Sequence, residues 1–150
     1  MPNWCHNRLT ITGPNVRIAA FKLEAVGHSP WFKPEELVGE RPNPLNFHSL
    51  VPIPDHVLAA DYHTAGYDWE HSNWGCKWGA ANPILRDEVG QIQYEFDTAW
   101  SPPVKLLLKV AQKWSDLVFV LEYEEPAMAF KGMAKFWDRV CEDHCLSVSL

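Results

Sequence analysis

From Trp4 the chain alternates: Cys5, Asn7, Leu9 and Ile11 fall on one side and His6, Arg8, Thr10 and Thr12 on the other, which predicts a half-buried strand over Trp4 to Gly13. Gly13-Pro14 breaks that pattern. Asn15 is then read as a helix cap, with Val16, Ala19, Ala20, Leu23 and Val26 at helical spacing and Gly27 as the stop. Residues 28 to about 68 show no sustained period and are punctuated by prolines and glycines, so they read as an insertion. Within it Leu50 to Pro54 is extended by its prolines, and Asp55 is expected to cap a short helical turn through Leu58. A loop of this length inside a compact domain is uncommon and often functional.

The alternation returns further on. Ile84 to Val89 predicts a weak strand, Gly90 a turn, and Gln91 to Trp100 a strong strand in which Ile92, Tyr94, Phe96 and Trp100 oppose Gln93, Glu95 and Asp97. Ser101 as cap and Pro102 at the first helical position predict a second helix, with Val104, Leu107, Leu108, Ala111 and Trp114 on one face and Lys105, Lys109 and Gln112 opposite. Leu117 to Glu124 alternates again. Pro126 ends that strand, Met128 to about Phe136 returns as a hairpin partner, and the tail to Leu150 is read as a terminal helix with buried cysteines. Strand, helix, insertion, strand, strand, helix, strand is the split βαβ order. It predicts an α+β, ferredoxin-like sandwich: an antiparallel sheet with two helices on one face, a long insertion after the first helix and one added C-terminal strand.

Between the insertion and the weak strand lies Trp69-Glu-His-Ser-Asn-Trp-Gly-Cys-Lys-Trp78, which holds three of the eight tryptophans. So much apolar surface beside glycine and proline turns predicts a segment folded back onto the sheet. Trp69, Trp74, Trp78 and Trp100 then form a secondary core clamping the insertion, or an exposed recognition surface, or part of each. Asn73-Trp-Gly-Cys-Lys-Trp78 and Asp97-Thr-Ala-Trp-Ser-Pro-Pro103, with Pro2 to Pro14 and Phe119 to Glu125, resemble the YubB-type ferredoxin-like family of small phage, prophage and plasmid proteins. That resemblance implies the fold and a genetic setting but no reaction. Cys76 stands where the family pattern usually has threonine.

At 150 residues and 47% hydrophobic, the chain fits one domain, 1–150, able to bury about two thirds of its unfolded surface. A net charge of −6 provides no general attraction for phosphate or anionic lipid, and no local basic patch appears, so neither direct nucleic-acid binding nor membrane binding is expected. The amino end lacks the features of a signal peptide and the four cysteines suit a reducing compartment, which together point to the cytoplasm.

Candidate chemistry is sparse. Cys141-Glu-Asp-His144-Cys145, with Cys5, His6 or Cys76, has the residue types of a zinc site, but the spacing is not that of a zinc knuckle, so no metal or cofactor is expected. Asp61, His63, Asp68, Glu70 and His71 have the residue types of a hydrolytic centre, and a solvated polar loop explains them better. RNA-recognition modules of this topology stack bases on aromatics of the open sheet face. Here His6, Arg8, Thr10, Gln93, Glu95 and Asp97 occupy those positions. The favoured reading is a non-enzymatic interaction protein of a phage or mobile element. It would bind a host or phage protein, in one version a nucleic-acid-binding defence protein inhibited in the manner of an anti-CRISPR. The residues assigned to that contact are Trp74, Lys77, Trp78 and Trp100 of the Trp-rich segment and Glu95, Asp97, Glu122 and Glu124 of the sheet. The alternative is a small metal- or metabolite-dependent enzyme or ligand binder that uses the insertion as a pocket wall.

Overall fold

The computed structural model describes residues 2–147. Its frame is one antiparallel sheet of six strands, β1 (Trp4–Thr12), β2 (Lys77–Glu88), β3 (Gln91–Ala99), β4 (Val118–Glu125), β5 (Phe130–Trp137) and β6 (Val140–Ser147), in the order β2-β3-β1-β4-β5-β6. Strands β2, β3, β1 and β4 with α1 (Asn15–Glu24) and α5 (Val104–Lys113) make the ferredoxin-like unit expected from the alternation. Between α1 and β2 come three further helices, α2 (Phe47–Leu50), α3 (Asp55–Ala60) and α4 (Tyr67–Asn73), with a 3₁₀ turn at Pro34–Leu37 and a π-helical turn at Tyr62–Gly66.

Strand parity sorts the two sheet faces. Leu9 lies between Tyr94 and Leu121, and Ile11 between Ile92 and Phe119, and all six side chains are buried under the helices. Phe21 of α1 sits over them, its ring edge-on to Tyr94, Trp114 and Phe119 at 6.3, 5.4 and 5.7 Å between centroids.

That aromatic packing corrects the phase expected of α1. The buried stripe is Ile18, Phe21 and Ala25, whereas Val16 and Leu23 face solvent, Leu23 at 81% exposure. Two apolar registers competed on this helix, and the one carrying phenylalanine buries more surface. On α5 the buried stripe is Leu106, Leu107, Val110 and Ala111, leaving Leu108 only half-buried.

The caps differ as well. Asn15 is the first residue of α1, and its side-chain oxygen accepts from the Gly90 amide (2.7 Å), tying the helix start to the β2–β3 turn. The α5 helix begins two residues later than expected, because Ser101 turns away to donate to the Gly75 carbonyl (2.5 Å). Asp55 lies inside the first turn of α3 rather than capping it.

The insertion is more ordered than a Pro/Gly-rich stretch suggests. Leu45, Phe47, Leu50, Ile53 and Val57 all join the main core. Asn46 caps α2 by accepting from the His48 amide (3.1 Å) and donates to the His28 carbonyl (2.7 Å), while Asn43 donates to the Ala80 carbonyl at the sheet edge (2.9 Å).

The C-terminal end also departs from expectation. Where one added strand and a terminal helix were expected, the sheet gains two strands, with Phe136 opposite Cys141 and Gly132 opposite Cys145. Leu150 lies outside the described residues. Among those residues no helix is long and apolar enough to cross a membrane.

Denaturant unfolding checks these packing assignments. Leu121→Ala, in the fully buried row, should lower stability by about 2–5 kcal/mol, whereas Leu23→Ala on the outer face of α1 should change it by less than about 0.5 kcal/mol.

Candidate functional site

The sheet face opposite the helices carries the even-numbered side chains of β1. Arg8 pairs across the register with Glu95 on one side and Glu122 on the other, and His6 with Asp97 and Glu124. The four carboxylates expected on this face are thus gathered on the strands either side of β1. Arg8 bridges Glu95 and Glu122 at 3.6 and 3.7 Å, Arg86 reaches Glu95 at 3.3 Å, and His6 Nδ1 lies 2.6 Å from Asp97. Such exposed pairs each contribute roughly 0–1 kcal/mol, so they reduce the repulsion without removing the acidic character. A shallow cleft of about 510 Å³ runs over these residues, bounded by Asn82 and Ile84 of β2.

The second feature is built around Glu70, whose side chain is 0% exposed. Its Oε1 accepts from the Trp78 amide (2.8 Å) and the Tyr62 hydroxyl (3.1 Å), and its Oε2 from the Trp31 indole N–H (2.9 Å). Burial pushes the Glu70 carboxyl above its ordinary value, and the three donors oppose that rise. The three donating residues, with Phe32 and Ser29, line a pocket of about 410 Å³.

Local backbone geometry sets the pocket walls. Asp61, at φ 108°, accepts from the Thr64 amide (2.8 Å) and so starts the turn that presents Tyr62. Gly66 allows the Trp31 ring to lie against that turn, since a Cβ there would come within 2.5 Å of the indole. Trp78, at φ 71°, lies in the irregular first half of β2, where the register shifts between Lys77 and Ile84.

The Trp-rich residues divide between the two readings entertained for them. Trp74 is 3% exposed; its indole donates to the Val51 carbonyl (3.0 Å) and packs edge-on to Phe47 and Trp69, which clamps the insertion. Trp78 is 52% exposed, with the Lys77 ammonium 3.9 Å from its ring centroid and Trp4 at 6.5 Å on the neighbouring sheet end. Trp100 is 46% exposed just beyond β3, so it does not continue the buried row of Ile92, Tyr94 and Phe96.

The residues read as possible hydrolytic or metal groups do not converge. Asp61, His63, Asp68 and His71 are exposed while Glu70 points inward. Cys141 and Cys145 share one face of β6 and His144 takes the other. Among the described residues no three His, Cys, Asp or Glu side chains come together as a metal site. Trp31, Phe32 and Tyr62 were not singled out from sequence. The available signal was a Trp-Phe pair between Pro30 and Pro34 in an otherwise polar stretch.

All four cysteines are free, and burial pushes the Cys5 thiol up to about 12 and the Cys76 thiol up as well. Alkylation of the native protein at mildly alkaline pH should label exposed Cys145 and leave Cys5 and Cys76 unmodified until denaturant is added, as peptide mass spectrometry would show.

A search of the curated proteins finds no match. Among solved structures, the crystal structure of protein Api92 from Yersinia pseudotuberculosis superposes with a TM-score of 0.72 over 96% of this chain and 98% of that one, at 11% identity. That likeness shows a shared fold. The family described as "Ferredoxin-like domain in Api92-like protein" matches residues 67–147, from α4 through β6. The chain therefore belongs to the Api92-like family of ferredoxin-like domains.

Proposed function

We propose that the protein is a non-enzymatic interaction module of a phage or other mobile element, acting in the cytoplasm of a bacterial host. It binds a basic host or phage protein through the open acidic face of its sheet. The observation that carries this reading is the gathering of Glu95, Asp97, Glu122 and Glu124 around β1 on a face that neither the two long helices nor the buried side chains of the insertion occupy. Like charges on neighbouring strands lower stability by a few tenths of a kcal/mol or more per pair, so a sheet that keeps them is poised for a partner of opposite sign. The genetic setting comes from the YubB-type resemblance.

Lys131 and Lys135 on β5 and Arg86 on β2 flank the acidic strip, which favours a narrow basic element such as a strand, a loop or one face of a helix. One concrete version is inhibition of a nucleic-acid-binding defence protein, an anti-CRISPR role in which the carboxylates occupy a groove that otherwise holds phosphates. Exposed Trp78 and Trp100, with Lys77, supply apolar anchors near one end of the strip.

Replacing Glu95, Asp97 and Glu122 by their amides should weaken a partner recovered from host lysate by about tenfold or more at low salt and flatten the salt dependence of binding. Unchanged affinity and salt dependence in that variant, with binding abolished by Trp78→Ala in a folded protein, would overturn the acidic-face reading. Trp74→Ala is unsuited to this comparison, because it opens the core.

A further inference from the structure

The pocket above Glu70 has a composition that apolar packing alone does not explain. Four aromatic side chains, Trp31, Phe32, Tyr62 and Trp78, wall it, and two of them remain largely exposed, Phe32 at 57% and Trp78 at 52%. Behind the walls lies a desolvated carboxylate that receives hydrogen bonds from three of these four aromatic residues, Trp78 through its backbone amide. A negative charge in a low-dielectric setting acts over several ångströms. Donation from the Trp31 N–H and the Tyr62 O–H to that anion also polarises both rings and makes their faces more negative. Such a pocket repels anions, gives a neutral apolar ligand no electrostatic gain, and attracts a weakly hydrated cation.

We propose that this pocket binds a small molecule through a quaternary or methylated ammonium group. Its volume, about 410 Å³, falls within the range of small-molecule sites, roughly 300–1,000 Å³. A methylated ammonium loses less hydration on entry than a primary ammonium and fills an aromatic cage by cation–π contact. The Trp78 ring already accepts one cation by this contact, the Lys77 ammonium 3.9 Å from its centroid, from outside the pocket. Gly66 belongs to the same construction: the Trp31 and Tyr62 rings, 5.3 Å apart and edge to face, close over a position where a Cβ would strike both. The site shares Trp78 with the end of the partner surface but none of its carboxylates, so either assignment stands or falls without the other.

Choline serves as the probe, titrated into the full-length protein and followed by tryptophan fluorescence and calorimetry. Saturable one-to-one binding is expected, with the uncharged carbon isostere, in which tert-butyl replaces trimethylammonium, about tenfold weaker or silent. Phe32→Ala should weaken choline about tenfold with an unchanged melting temperature, because Phe32 is largely exposed. Gly66→Ala should weaken it without removing any aromatic group. The Glu95, Asp97 and Glu122 amide variant should bind choline as the parent does, and loss of binding there would relocate the cation to the sheet face and overturn the assignment. Equal affinity for the carbon isostere, or no effect of Phe32→Ala, would reduce the pocket to apolar packing. Binding of a trimethyllysine peptide without any binding of choline would contradict a small-molecule ligand.

Discussion

A single buried carboxylate joins the two halves of this structure. Moving an ion out of water costs several kcal/mol even after relaxation, and Glu70 is offset by donors from three separate places in the chain: Trp31 in the insertion, Tyr62 in the π-helical turn and the Trp78 amide at the start of β2. Removing any one leaves a charge buried with fewer hydrogen bonds, so the three segments are held together or released together. The insertion is consequently bound to the sheet by a polar knot as well as by its apolar residues Leu45, Phe47, Leu50 and Ile53.

With the insertion fixed on the helix side and at the Trp78 end of the sheet, the opposite face is left with its charges. There the antiparallel register decides the chemistry, because a shift of one residue would move every side chain to the other face. Arg8 between Glu95 and Glu122, and His6 beside Asp97, make the centre of the sheet a strip of alternating but predominantly negative charge. The aromatic pocket meets this face only at one end, where Trp4 approaches Trp78. Two surfaces of different chemistry therefore sit at right of access to solvent on one small fold: one long, polar and shallow, the other compact and aromatic.

Much of this was legible in the sequence wherever one side of an element is uniformly buried. The alternation of β1, β3 and β4 showed both the core row and the acidic row, since period two admits few other readings. The phase of α1 was not legible, because Val16, Leu23 and Val26 offer an apolar stripe as regular as that of Ile18, Phe21 and Ala25, and only the ring packing of Phe21 decides between them. Helices α2 and α3, four and six residues long, are too short to display a period. The start of β2 was hidden by positive φ at Trp78, Gly79 and Asn82, and β6 by a run of polar residues that an edge strand tolerates. The aromatic pocket was hidden for another reason: its walls come from positions 31, 32, 62 and 78, and Glu70 looked like one more charge in a polar stretch.

Backbone and indole hydrogen exchange in the wild type and Glu70→Ala tests most directly whether that carboxylate holds the insertion and its pocket. Strong protection of the Trp31 indole N–H and the Trp78 amide is expected in the parent. In the variant both should be lost and exchange should quicken across residues 28–66, while the amides of β1 and β3 stay protected. Unaltered exchange at Trp31 and Trp78, with the insertion as protected as before, would contradict it.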